Sequence, residues 1–149
     1  MTPLEAYCEF FAGLQRADLE RLDAVFTEDA RFRDPFNDVR GRNAVRAVFE
    51  HMFAVCAEAR FEVLEAVPDG RSGYIRWRFH FRLARDRAPR RPVEGVSRVA
   101  FADDGRVQEH IDYWDAAGEL YTQFPVLGGL MRWLRRRLAA PQTSLPVRY

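Results

Sequence analysis

The stretch Val107-Gln-Glu-His-Ile-Asp-Tyr-Trp-Asp115 is the part of the chain that says most about its fold. β-Branched and aromatic residues alternate in it with polar ones, and this period of two predicts a β-strand. The two faces of the strand would be Val107, Glu109, Ile111 and Tyr113 on one side, and Gln108, His110, Asp112 and Trp114 on the other. In a closed cavity the second face can hold an aromatic or polycyclic ligand and move a proton. In water it is only a polar face.

The same period of two recurs before this strand. Strands are expected near residues 60–67, 74–85, 92–102 and 107–114, with hairpin turns that contain Gly70 and Gly105. In the second of these strands the apolar residues predict a buried face. The alternating arginines predict an outer face that is available for a dimer contact.

Helical spacing precedes the strands and follows them. The predicted helix starts are Thr2-Pro3 with a capping box to Glu5, then Asp18, then Gly41. Residues 30–34 are expected to be extended, because Pro35 keeps Asp34 out of a helix. Residues 127–139 predict a basic amphipathic helix.

This order of helices, strand meander and terminal helix predicts the α+β class. A strongly curved antiparallel sheet would wrap around the N-terminal helices as a cone with a pocket, and the C-terminal helix would be an addition. We expect one domain over residues 1–140 and a loose tail over 141–149. The terminal helix is expected to pack on its own domain. Attachment to a membrane or to another anionic surface is the alternative, and it is not expected.

The composition excludes several classes of function. The net charge is +1 and all 23 basic residues are arginine, so neither nucleic-acid binding nor lysine chemistry is expected. No glycine-rich phosphate loop is present, so no organic cofactor is expected. The 3 histidines are scattered, so we expect no metal site. The cysteines lack paired spacing, and neither a signal peptide nor a long apolar run is seen, which predicts a cytoplasmic protein.

The chain resembles the nuclear transport factor 2-like superfamily over about residues 5–120, and within it the SnoaL-like polyketide cyclases and ketosteroid isomerases. Three stretches carry the resemblance, namely 18–35 with its final Asp34-Pro35, 41–49, and 104–115. The resemblance implies the cone-shaped fold and a homodimer. Isomerases, cyclases, hydrolases and non-catalytic proteins all occur on this fold, so the reaction stays open.

The resemblance also implies roles for single residues. Asp34 stands where ketosteroid isomerases keep their proton-shuttling carboxylate. Their two oxyanion donors, a tyrosine and a protonated aspartate, are replaced by Phe10 and Ser97, so a true ketosteroid isomerase is not expected. Tyr7, one turn before Phe10, is a candidate substitute donor. Asp112 stands where SnoaL-like cyclases and limonene-epoxide-hydrolase-like proteins have a cavity-facing acid/base residue.

Each candidate also has a purely structural interpretation. Asp112 and Asp34 could serve in turns or ion pairs, and His110 could be a passive core residue. The aromatic candidates for a pocket lining could equally be core residues, and they are Phe32, Phe49, Phe53, Trp77 and Trp114.

The leading hypothesis is a small-molecule enzyme that binds an apolar, ring-bearing ligand. Asp112, assisted by His110, would be the general acid/base, Asp34 a second carboxylate and Ser97 a hydrogen-bond donor. The alternative is a non-catalytic ligand-binding or interaction module whose cone is filled with aromatic side chains. A cavity into which both carboxylates open would favour the enzyme.

Overall fold

A computed structural model of the chain describes residues 1–141, and the predicted elements appear in the predicted order. The helices are α1 (Pro3–Ala12), a 3₁₀ helix (Arg16–Ala24), α2 (Arg42–Val55), α3 (Ala116–Glu119), a second 3₁₀ helix (Tyr121–Gln123) and α4 (Pro125–Leu138). The strands are β1 (Phe26–Arg33), β2 (Asp38–Arg40), β3 (Cys56–Asp69), β4 (Ser72–Leu83), β5 (Val93–Phe101) and β6 (Val107–Tyr113). The α+β class is therefore confirmed.

The chain divides into two compact units. The first is Met1–Asp115 and contains the whole sheet, and the second begins at Ala116. The single domain expected over residues 1–140 stays a prediction. Apart from Pro141, the tail expected to be loose lies outside the described residues.

Helix α1 begins with the predicted capping box. The Thr2 hydroxyl accepts a hydrogen bond from the Glu5 backbone N–H at 3.2 Å, and the Glu5 carboxylate accepts one from the Thr2 N–H at 2.7 Å. These bonds satisfy two backbone donors that a helix start otherwise leaves without partners. They fix the first turn, and the helix then buries Leu4, Tyr7 and Phe11 at helical spacing.

The six strands form one curved, open sheet in the order β2-β1-β6-β5-β4-β3. All neighbouring strands are antiparallel except β1 and β6, which run parallel, so the sheet is mixed rather than purely antiparallel. Strand β1 starts at Phe26, earlier than the extended stretch expected at 30–34. The polar run Thr27-Glu-Asp29 hides the alternation of this strand in the sequence.

Strand β6 contains a bulge that the sequence pattern does not show. Phe101 pairs with Val107 but Ala100 pairs with Glu109, so Gln108 is left over. An extra residue of this kind shifts the alternation of side chains. Val107, His110 and Ile111 are all buried, so both faces of β6 are covered along part of its length.

Strand β4 alternates as expected. Ile75, Trp77 and Phe81 are buried, whereas the arginines between them point to the outer face. On that face Arg78 pairs with Glu94 at 2.6 Å and His80 pairs with Glu62 at the same distance. Ion pairs with this exposure contribute little to stability. The dimer expected on this surface stays a prediction.

Gly95 makes room for the indole of Trp77, its cross-strand partner. A Cβ at Gly95 would lie 2.6 Å from two ring carbons of Trp77 and 2.9 Å from the Cβ of Trp114. We therefore expect Gly95→Ala to lower the free energy of unfolding by about 1–3 kcal/mol through overpacking. The measurement is denaturant unfolding. The control is Gly129→Ala, where the added methyl meets no described atom within 4 Å and no loss is expected; equal losses in both variants would refute the packing argument.

The second unit, which begins at Ala116, contains α3, the second 3₁₀ helix and α4. The Arg132 guanidinium donates to the Thr122 carbonyl at 2.9 Å, which ties α4 to the residues before it. Large apolar side chains of α4 are exposed, and they are Val126, Leu127, Leu130, Trp133, Leu134 and Leu138. The expected packing of this helix on its own domain stays a prediction. Within residues 1–141, no helix combines the length and the apolar character needed to cross a bilayer.

Candidate active site

His110 lies at the centre of a hydrogen-bonded chain on the inner face of the sheet. Its side chain is 0% exposed. The Tyr7 hydroxyl of α1 lies 2.7 Å from Nδ1, and Oδ1 of Asp112 lies 2.6 Å from Nε2. His110 and Asp112 share a face because they are two residues apart on β6, and the buried face of α1 brings Tyr7 to them.

The series of hydrogen bonds continues from Asp112 to residues of β5 and β4. The Ser97 hydroxyl donates to Oδ1 of Asp112 at 2.5 Å, and Ser97 is the cross-strand partner of Asp112. The indole N–H of Trp77 on β4 donates to the Ser97 oxygen at 2.7 Å. Oδ1 of Asp112 therefore accepts two hydrogen bonds, one from Ser97 and one from His110.

The chemistry of the end groups sets the direction of these bonds. An indole N–H can only donate and an ionised carboxylate can only accept. Nε2 of His110 therefore donates to Oδ1 of Asp112, and Nδ1 lies within hydrogen-bonding distance of the Tyr7 hydroxyl. Burial, and to a lesser extent the charge of Asp112, raises the pKa of Tyr7 well above its ordinary value, so the phenol stays protonated.

The other carboxylate oxygen of Asp112, Oδ2, takes no part in these hydrogen bonds. No donor from residues 1–141 bonds to Oδ2. Every fully buried side-chain oxygen or nitrogen in that range has a partner, so Oδ2 must reach the surface. In agreement, 10% of the Asp112 side chain is exposed. An anchored carboxylate with one free oxygen is suited to general acid/base work.

Aromatic rings enclose the imidazole. Phe32 stacks on His110 with ring centroids 4.8 Å apart, and Phe11 lies 5.6 Å away. Phe49 packs on Phe32 at 5.3 Å, and Phe61 stacks on Phe11 at 4.1 Å. These rings exclude water from His110 and strengthen its hydrogen bonds.

The sequence of this chain matches a known family. A family model of the SnoaL-like domain matches residues 7–110. The chain belongs to the SnoaL-like domain family. The matched region begins at Tyr7 and ends at His110, and these two residues are hydrogen-bonded to each other. No curated protein is significantly similar to it in sequence.

Solved structures with the same fold are distant in sequence from this SnoaL-like protein. A nuclear transport factor 2-like protein of unknown function from Burkholderia pseudomallei K96243 is 19% identical, with a TM-score of 0.67 over 78% of this chain and 92% of that one. A protein with a ketosteroid isomerase-like fold from Catenulispora acidiphila DSM 44928, in complex with trimethylamine, is 13% identical, with a TM-score of 0.68 over 83% and 93%. TerC, co-crystallised with polyporic acid, is 15% identical, with a TM-score of 0.66 over 78% and 93%. At these identities the likeness shows the fold alone.

Asp34, the second predicted carboxylate of the SnoaL-like site, serves the turn after β1. Its Oδ1 accepts hydrogen bonds from the backbone N–H groups of Phe36 at 2.8 Å and Asn37 at 2.7 Å. The side-chain amide of Asn37 adds contacts of 3.1 and 3.2 Å to the two oxygens. The residue before it, Arg33, pairs with Ile111, so Asp34 ends β1 at the same end of the sheet as Asp112.

The turn at Asp34 gives a testable expectation. Asp34→Asn keeps an acceptor for the two backbone N–H groups, whereas Asp34→Ala removes it. We expect the alanine variant to be less stable than the asparagine variant by about 1 kcal/mol. Denaturant unfolding of the two variants measures this difference. Equal stabilities would show that the turn does not depend on the side chain.

The other predicted ligand contacts divide into two groups. Tyr7 and Ser97 are buried, and their hydroxyls bond to His110 and Asp112 respectively. Phe10, Phe53 and Trp114 are half-buried and lie around the centre rather than in it. Phe10 packs on Tyr7 at 6.0 Å, Trp114 packs on Phe36 at 5.6 Å, and Phe53 lines a separate open cleft beside Cys56.

Three residues of the site were missed in the sequence. Phe11 and Phe61 form the ring stack beside His110, and Gly95 leaves room for Trp77. The signal for Phe11 is its helical spacing, seven residues after Leu4 and four after Tyr7, the other buried residues of α1. In residues 1–141 no group of three or more His, Cys, Asp or Glu side chains is arranged to hold a metal ion.

Proposed function

We propose that this SnoaL-like protein is an enzyme in which Asp112 acts as the general acid/base on an apolar, ring-bearing small molecule. The observation that supports the proposal most is the asymmetry of the carboxylate. Oδ1 is held by Ser97 and His110, whereas Oδ2 has no protein partner among residues 1–141 and reaches the surface. A structural aspartate in a closed network would use both oxygens.

In this proposal Oδ2 removes a proton next to a carbonyl group, or delivers one to a leaving oxygen. The bonds to Oδ1 keep the carboxylate from rotating, and this lowers the entropic cost of bringing Oδ2 and the substrate into a reactive geometry. His110 is assigned the role of a donor to Asp112, because its Nε2 lies 2.6 Å from Oδ1 of Asp112 and its Nδ1 lies 2.7 Å from the Tyr7 hydroxyl. Asp34 is assigned to the turn rather than to the reaction.

The class of ligand follows from the surroundings of Asp112. The half-buried indole of Trp114, two residues after Asp112, and the exposed ring of Phe36 against which it packs offer aromatic surface, whereas Phe32, Phe49 and Trp77 are buried in the core. Aromatic rings of this kind favour flat, apolar ligands over strongly charged ones. TerC, which has the same fold, was co-crystallised with polyporic acid. We extend that kind of ligand to this chain as part of the proposal.

The experiment is a product analysis with panels of ketosteroids, aromatic polyketides and epoxides. We expect conversion of a ring-bearing carbonyl compound by the full chain. Asp112→Asn should bind that compound and fail to convert it. Binding without conversion by the unaltered chain, over the whole panel, would instead support the non-catalytic binding module.

A further inference from the structure

We infer that Trp77 is a positioning residue for Asp112 and that it acts through the hydroxyl of Ser97. This inference rests on the acid/base role proposed for Asp112. The three residues stand on adjacent strands β4, β5 and β6. Their hydrogen bonds, 2.7 Å from Trp77 to Ser97 and 2.5 Å from Ser97 to Asp112, form a line across the inner face of the sheet.

The indole decides what the serine hydroxyl can do. A serine oxygen has one proton and two lone pairs, and a free hydroxyl rotates among several partners. The Trp77 N–H can only donate, so it occupies a lone pair of Ser97 and leaves the single proton for Asp112. Both Trp77 and Ser97 are buried, so no water competes for these bonds. The donor to Oδ1 is thereby fixed in position and direction.

The position of the Trp77 indole depends on Gly95 of the neighbouring strand β5. Its direct cross-strand partner is Gly95, two residues before Ser97 on β5. The site of the missing Cβ is 2.6 Å from two ring carbons of Trp77, so any larger residue would displace the ring. The indole therefore lies over β5, which brings Nε1 to the Ser97 oxygen.

The other groups that face Asp112 cannot replace the hydrogen bond from Ser97. His110 on the same strand donates to the same oxygen, Tyr7 on α1 is one bond further away, and Asp34 at the end of β1 is itself an acid. Within residues 1–141, no arginine is paired with Asp112. The carboxylate is thus held by its hydrogen bonds from Ser97 and His110, and loss of one of them should be visible when the carboxyl carbon is titrated.

The test is a titration of the Asp112 carboxyl carbon by ¹³C NMR, which needs no substrate. The signal is assigned by its absence in Asp112→Asn. Ser97→Ala is expected to raise the pKa of Asp112 by about one unit, since a hydrogen bond to the charged form is lost. Trp77→Phe should raise it by about half as much, because a hydroxyl without its own donor is a weaker partner.

The double variant Trp77→Phe/Ser97→Ala decides the question. If Trp77 acts through Ser97, the double variant titrates like Ser97→Ala alone. If the two shifts add, Trp77 acts by another route and the inference is overturned. Ile75→Val, a buried change on the same face of β4 without a hydrogen bond, is the packing control and should leave the titration unchanged; a shift equal to that of Trp77→Phe would also overturn the inference.

A second form of the test avoids the change in ring size. Benzothienylalanine at position 77 keeps the bicyclic shape of tryptophan and lacks the N–H. It should reproduce the shift of Trp77→Phe, and an unchanged titration would overturn the inference. Product analysis on the same proteins separates the two proposals. If Asp112→Asn converts substrate normally while the titrations behave as expected, the acid/base role fails and the positioning role stands.

Discussion

Asp112→Asn is expected to lower turnover by about 10²–10⁴-fold, the usual contribution of a general acid/base. The substitution is nearly isosteric. The amide oxygen can still accept from Ser97 and His110, so the hydrogen-bonded chain and the fold are expected to persist. Only the free oxygen changes, from a base into an amide N–H₂ that cannot take a proton. The measurement is kcat and KM on the substrate found in the panel, with unfolding curves as a check of the fold.

Asp34→Asn is the matched control for this prediction. It makes the same chemical change at the other predicted carboxylate, which the structure shows bonded to its own turn. We expect less than a threefold effect on kcat, about the size of an ordinary surface change. A loss at Asp34 as large as that at Asp112 would restore the two-carboxylate mechanism. Full activity of Asp112→Asn would remove the proposed function.

The sequence was informative wherever the controlling interactions are local. The capping box at Thr2 and Glu5 depends on residues three apart, and the buried face of β4 depends on simple alternation. Both follow from elementary geometry, and both are confirmed. The choice of Asp112 as the leading carboxylate also came from one short motif, which the structure surrounds with buried partners.

The features that the sequence did not reveal depend on contacts between distant residues. Tyr7 bonds to His110, 103 positions away, and α1 brings them together only after the sheet has curved over it. The bulge at Gln108 exists only relative to the partner strand β5. No periodicity within a single segment can encode such a contact. For the same reason Ser97 was expected to face a ligand, whereas its hydroxyl is used by Asp112.

The hydrogen bonds to Asp112 and the aromatic rings around His110 depend on each other. Oδ1 of Asp112 is anchored by Ser97 and His110, and His110 keeps its orientation because the rings of Phe32 and Phe11 pack against it and exclude water. Removing a ring should therefore affect the fold and the carboxylate together. Phe11 is the ring for which this effect should be largest, since it is 1% exposed and touches both the Phe61 ring and His110.

Phe11→Ala is expected to lower the free energy of unfolding by about 3–5 kcal/mol, the usual cost of a buried Phe-to-Ala cavity. For a chain of this size that corresponds to a fall in Tm of about 10 °C. Phe10→Ala is the matched control, because it removes the same side chain from the next position of the same helix. Phe10 is half-buried and its ring meets only the edge of the site, at 6.0 Å from Tyr7.

We expect Phe10→Ala to cost about 1 kcal/mol. The comparison, made by thermal and denaturant unfolding, tests which face of α1 is turned towards His110. Equal losses in the two variants, or a larger loss at Phe10, would mean that α1 is rotated by about 100° from the orientation described above, since that is the angle between successive helical residues. The Tyr7–His110 hydrogen bond would then be lost as well, and with it the contact from α1 that orients the His110 ring towards Asp112.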